Sequence, residues 1–132
     1  MNYYIRISTY TLFYINRMNE FFKVLADETR LRCLVLLATH RELCVCELSH
    51  ALQLPQSKIS RHLSIMKLHK IILQRRMEQW IFYSMNPVLP QWQTQIIQLC
   101  LNETKNQLEQ DNQRLQDMEN RPYCRVVEGH CV

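Results

Sequence analysis

The stretch that decides the fold occupies residues 46–70, CELSHALQLPQSKISRHLSIMKLHK. Leu48, Ala51 and Leu52 fall on one face of a short helix, and the run Pro55-Gln56-Ser57 then interrupts the pattern. Apolar residues resume as Ile59, Leu63 and Met66 at i, i+4 and i+7, with Ser57 where an N-cap belongs. A short helix, a tight turn and a longer basic helix form the helix-turn-helix pattern. Lys58, Arg61 and His62 lie opposite the apolar stripe and, with Gln56, Ser57 and Ser60, give a polar face able to enter a major groove.

Charge supports that reading. Residues 48–77 contain no Asp or Glu but carry Lys58, Arg61, Lys67, Lys70, Arg75 and Arg76. The whole chain holds 16 Lys and Arg against 12 Asp and Glu, so outside this segment ten cations meet twelve carboxylates. An acid-free basic segment in a balanced chain suits a polyanion, because each neutralised phosphate releases condensed counterions. A solvated basic surface is the competing reading of charge alone.

Downstream, IILQRRMEQWIFYSMN reads as two strands meeting near Met77-Glu78-Gln79. This hairpin would be a wing, with Arg75 and Arg76 contacting phosphates and Trp80 and Phe82 packing inward. Upstream, FFKVLADETRLRCLVLLATH predicts two consecutive helices, with Phe22, Leu25, Leu31, Leu34, Val35 and Leu37 as apolar positions and Asp27 capping the second. Residues 91–120 contain neither Gly nor Pro, and Trp92, Ile96, Ile97, Leu101, Leu108, Leu115 and Met118 recur at helical spacing. One helix of that length would extend ~45 Å. The seven-residue steps Leu101, Leu108 and Leu115 predict a seam against a second helix, hence a homodimer on a two-fold operator. The expected architecture is mainly α with a β-hairpin wing: a winged helix-turn-helix with a long C-terminal dimerisation helix. Residues 18–120 would form it, after an N-terminal extension (1–17) and before a flexible cysteine-containing tail (121–132).

Several classes are excluded. At 132 residues and 47% apolar content the chain suits one domain. No run approaches eighteen apolar residues and no signal peptide is evident, so no membrane partner is expected and the location is cytoplasmic. The only glycine is Gly129, so there is no glycine-rich phosphate loop, and neither Cys-x-x-Cys nor a βαβ pattern occurs. The chain is not read as an enzyme, and no organic cofactor is implied.

Six cysteines in a reducing compartment point to metal binding, redox chemistry or burial. Cys33 lies on an apolar helical face and reads as core, and Cys100 as buried near the dimer seam. Cys44 and Cys46, in ELCVCEL, stand where the first helix of the DNA-binding motif begins, and a helix N-terminus stabilises thiolate. His50, one turn after Cys46, either joins them in a zinc or cadmium site or faces solvent or DNA.

In this order, LADETRLRCLVLL, ELCVCEL, PQSKISRHLSIMK and QWIFYSMNP resemble the ArsR/SmtB family of metalloregulatory winged-helix repressors, above all its arsenical-resistance operon repressors. The resemblance covers about residues 18–92. It implies a dimer that leaves operator DNA when a thiophilic ion binds, with Cys44 and Cys46 as metal ligands. Arsenite or antimonite is the inducer so implied, because trivalent arsenic takes three soft sulfur donors. The chain departs from its relatives at four places. Ser49 stands where some carry a third cysteine, so Cys124 or Cys131 becomes the candidate third ligand. Lys70 and Glu78 stand where glycine is usual. Residues 1–17 precede the usual start, making Met18 a candidate initiator, and a chain begun there is expected to dimerise and bind DNA normally. The residues leave a second function open: a thiol-redox or persulfide-responsive repressor in which two cysteines bond to each other.

Overall fold

The computed structural model describes residues 9–122. Helix α1 (Thr9–Leu25) crosses the expected boundary at residue 17 without a break and leads into α2 (Glu28–Thr39). Asp27 caps α2 as expected, its Oδ1 accepting from the Arg30 N–H at 3.0 Å. The inward face of α1 is Phe21 and Val24, whereas Phe22 is 46% exposed. The two faces have similar apolar content, so α1 alone does not fix its phase; packing on α2 and on Trp92 does.

A two-residue strand β1 (Leu43–Cys44) precedes α3 (Val45–Leu52), and the recognition helix α4 (Gln56–Leu68) follows. Leu48, Ala51, Leu52, Ile59, Leu63 and Met66 are all buried, as the apolar pattern requires. Helix α3 stops at Gln53, which adopts φ 56 and donates its N–H to Ser49 and His50 carbonyls. The N-cap of α4 is Pro55, which corrects the assignment of Ser57. Proline sets the extended cap conformation (φ −59, ψ 143) without a side-chain hydrogen bond, and its carbonyl accepts from Lys58 and Ile59 N–H at 3.1 Å each. Ser57 sits exposed in the first turn instead.

Strands β2 (Ile72–Met77) and β3 (Trp80–Met85) form the hairpin, and β1 adds to its other side in the order β1-β3-β2, all antiparallel. The register Cys44↔Phe82↔Arg75 places these three residues in one row across the sheet. Leu43, Tyr83 and Ile72 face the core on the other side. Lys70 and Glu78 have φ 59 and 56, at the turn after α4 and the wing tip.

The expected single C-terminal helix is two. Helix α5 (Gln91–Glu103) ends at Thr104, and α6 (Lys105–Gln116) follows after that one residue and packs against α2 and α3 of its own chain. Leu115 is fully buried in that intramolecular core and Leu108 packs against it, so Leu101, Leu108 and Leu115 do not form a free seam. Helix α6 is anchored by the Asp111 carboxylate, which is fully buried among Arg32, Arg114 and Gln107. No helix among the described residues is long and apolar enough to cross a membrane.

Candidate thiol site and nucleic-acid face

Cys44 is both the last residue of β1 and the N-cap of α3, with φ −92 and ψ 171. Extended cap geometry followed by one helical turn folds Cys46 back, and the two sulfurs lie 2.7 Å apart. That contact splits their acidities: Cys46 is lowered by the hydrogen bond from Cys44, and Cys44 is raised by the same bond and by burial. Of the two, the partly exposed Cys46 is the one whose ionisation the contact favours.

Glu47 completes the cap and was not singled out from the sequence. Its Oε1 accepts from the Cys44 N–H at 3.0 Å, and its Oε2 from Arg121 Nε at 2.7 Å. Glu47 is fully buried, and such a carboxylate needs both partners. The glutamate could have been read as the third helical position of a capping box; Arg121, 74 residues away, had no signal.

The remaining candidate ligands divide by place. Ser49 donates its hydroxyl to the Leu54 carbonyl at 2.5 Å, so it braces the turn. Cys33 is fully buried and pushed up to about 12 by that burial, and Cys100 is half-buried on α5. His50 is exposed. Among the described residues no three His, Cys, Asp or Glu side chains are grouped to hold a metal ion. Cys124 and Cys131 lie outside the described residues.

On α4, Gln56, Ser57, Lys58, Ser60 and Arg61 are all exposed. His62 is not with them: it is 5% exposed, and its Nδ1 faces Arg30 Nη1 at 3.2 Å and Asp27 Oδ1 at 3.8 Å. Residue 62 follows Ile59 by three positions, so its side chain turns toward the buried face and meets the start of α2. This corrects its assignment to a DNA-contacting face. A guanidinium at Nδ1 leaves that nitrogen as an acceptor, and burial lowers the His62 pKa below its ordinary 6.5.

The wing arginines also part company, because neighbours on a strand face opposite sides. Arg76 donates to the Glu78 carbonyl at 3.1 Å. Arg75 grips Glu42 with two hydrogen bonds, Nε to Oε1 at 2.5 Å and Nη2 to Oε2 at 2.7 Å, while its guanidinium lies 5.6 Å from the Phe82 ring centroid. Glu42 stands two residues before Cys44, so it lies on the same face of the sheet.

Comparison with known proteins bears on the family and the fold. The sequence model described as "Bacterial regulatory protein, arsR family" matches residues 27–68, from the cap of α2 to the end of α4. The arsenic resistance transcriptional regulator ArsR1 of Pseudomonas putida is 45% identical over 106 residues, which cover 80% of this chain and 83% of that protein. The arsenical resistance operon repressor of Escherichia coli is 45% identical over 78 residues, covering 59% and 67%. Among solved structures, the AntR antimony-specific transcriptional repressor superimposes with a TM-score of 0.59 at 27% identity, covering 81% of this chain and 93% of that one. The chain belongs to the ArsR family of bacterial regulatory proteins.

Proposed function

We propose that this protein is a homodimeric repressor of an arsenic-resistance operon, released from operator DNA when arsenite or antimonite binds Cys44 and Cys46. The observation that carries the reading is the position of the thiol pair. Two cysteine sulfurs converge at the N-terminus of α3, the helix that supports α4 through a three-residue turn. Each thiol that captures arsenic displaces one of its hydroxyls as water. Pyramidal coordination separates sulfurs that now touch, and Cys44 cannot move without straining the β1 pairing, the Glu47 cap and α3 together. The ion therefore favours a conformation other than the one described, which is the differential affinity that release requires.

Cys124 or Cys131 supplies the third sulfur in this reading. Arg121 is fixed on Glu47, one residue from Cys46, and three further residues span at most about 11 Å. That supports Cys124 first. Gln56, Ser57, Lys58, Ser60 and Arg61 meet the major groove, and Arg75 and Arg76 meet the flanking phosphates. The dimer reading draws on α1, where Tyr10, Tyr14, Met18 and Phe22 repeat every four residues and are each at least 41% exposed. Such a stripe is a surface for a second copy, and because Tyr10 and Tyr14 belong to it, a chain begun at Met18 should dimerise more weakly, contrary to the expectation from sequence.

Fluorescence anisotropy of an operator duplex, titrated with arsenite, tests the proposal. Cys44→Ser and Cys46→Ser should bind DNA as the parent does yet stay bound at arsenite concentrations that release the parent. Cys124→Ser should need at least several-fold more arsenite. A parent-like arsenite response in both Cys44→Ser and Cys46→Ser would overturn the assignment.

A further inference from the structure

The bidentate grip of Glu42 on Arg75 joins the residue just before β1, the strand that carries Cys44, to the wing. Arg75 remains 43% exposed as a side chain, whereas Glu42 is only 11% exposed. The carboxylate is thus largely enclosed, and the guanidinium is the partner more open to solvent. The contact with the Phe82 ring engages the guanidinium without using its N–H donors, so those donors can serve a carboxylate or another anion. A phosphate oxygen and a carboxylate oxygen present the same bidentate geometry to arginine.

We propose that Glu42 competes with operator phosphate for Arg75, so that this carboxylate is a built-in restraint on DNA affinity, placed two residues from the thiol site. The inference rests on the wing contacting DNA. In the free protein Arg75 is neutralised by Glu42, and on the operator it exchanges the carboxylate for phosphate. That exchange subtracts the strength of the ion pair from the contact that Arg75 contributes. The partner so identified is a phosphodiester backbone in general, since neither group reads a base.

The test uses the full chain and four proteins: parent, Glu42→Gln, Arg75→Ala and the double variant. Each is titrated with operator duplex by fluorescence anisotropy over a series of salt concentrations, with circular dichroism confirming the fold. Glu42→Gln removes the competitor's charge and should tighten operator binding about 1.5- to fivefold, the range of a partly exposed ion pair. Arg75→Ala should weaken binding and make the log–log salt slope shallower by about 0.9, the release due to one phosphate. In the Arg75→Ala background, Glu42→Gln should change nothing. A folded Glu42→Gln protein that binds no more tightly than the parent, while Arg75→Ala weakens binding, overturns the competition alone. If Arg75→Ala keeps the parent's affinity and slope, the wing contact itself falls, and the proposal with it.

Discussion

A side chain in the left-handed backbone region pays a steric cost that glycine avoids, and this chain accepts that cost at four described positions, Gln53, Lys70, Glu78 and Asn120. Glu78 is the clearest case. The hairpin closes in two residues, Glu78 and Gln79, and only the first has positive φ, a position that favours glycine. The Glu78 side chain contributes nothing to the turn's hydrogen bonding, since Arg76 binds its backbone carbonyl. Glu78→Gly should therefore raise unfolding stability by about 1 kcal/mol, after the extra entropy that glycine gives the unfolded chain is subtracted. Urea denaturation followed by tryptophan fluorescence would show it as a higher midpoint at unchanged slope. A lower midpoint would mean that the strain is absent. The sequence marked both Lys70 and Glu78 as departures from a usual glycine, and the backbone explains them: the turns keep their geometry although the residue is not the easy one.

At the scale of elements, α4 is tied to the start of α2 by His62, Arg30 and Asp27. Arg30 binds the Lys23 and Val24 carbonyls that end α1 and also lies against His62 Nδ1. Burial is the largest cause of the lowered His62 pKa, Asp27 opposes it, and Arg30, Arg61 and Lys58 reinforce it. A histidine whose folded pKa is depressed binds its proton more readily when unfolded, so stability rises with pH across the interval between the two values. The contribution of His62 is complete above about 6.5 and is lost as pH falls through that value toward the lower folded one. His62→Gln should flatten the acidic limb of a stability-versus-pH curve below that value, and an unchanged limb would exclude the coupling. The helix pair α3–α4 was legible because its apolar spacing repeats over several turns. His62 was misplaced because a polar residue on the shoulder of an apolar stripe can face either way. Strand β1 was invisible, since two residues carry no periodicity; their pairing with β3 comes from the tertiary fold.

At the scale of the whole molecule, a sequence that reads as one long helix forms two, and Asp111 anchors the second of them. Helical spacing was legible from Trp92 to Leu115, but the break at Thr104 was not, because no glycine or proline announces it. What holds α6 against α2 and α3 is a long-range charge match. Asp111 accepts Arg32 from α2 through both of its oxygens, at 2.8 and 3.1 Å, and pairs with Arg114 one turn ahead on α6. The same two arginines reach the end of α3, Arg114 donating to the Ala51 carbonyl at 2.6 Å and Arg32 to Leu52 at 3.5 Å. Three helices are thus closed around one buried carboxylate, and the carbonyls left open where α3 ends are satisfied by cations, which also suit the negative end of its dipole. Asp111→Asn keeps the shape of the side chain and removes the charge, leaving two guanidinium groups facing a neutral amide. Breaking a fully buried pair costs about 3–5 kcal/mol, and partial exposure of Arg32 and Arg114 lowers the expectation to about 2–3 kcal/mol. The loss should be local first: amide exchange on α6 and the last turn of α3 should accelerate before that on α2, because Arg114 loses the carboxylate that holds it over Ala51. Operator binding at temperatures where the variant is folded should weaken as the support beneath α4 loosens. Uniform acceleration of exchange across all helices would instead mean that Asp111 contributes to global stability without governing where α6 docks.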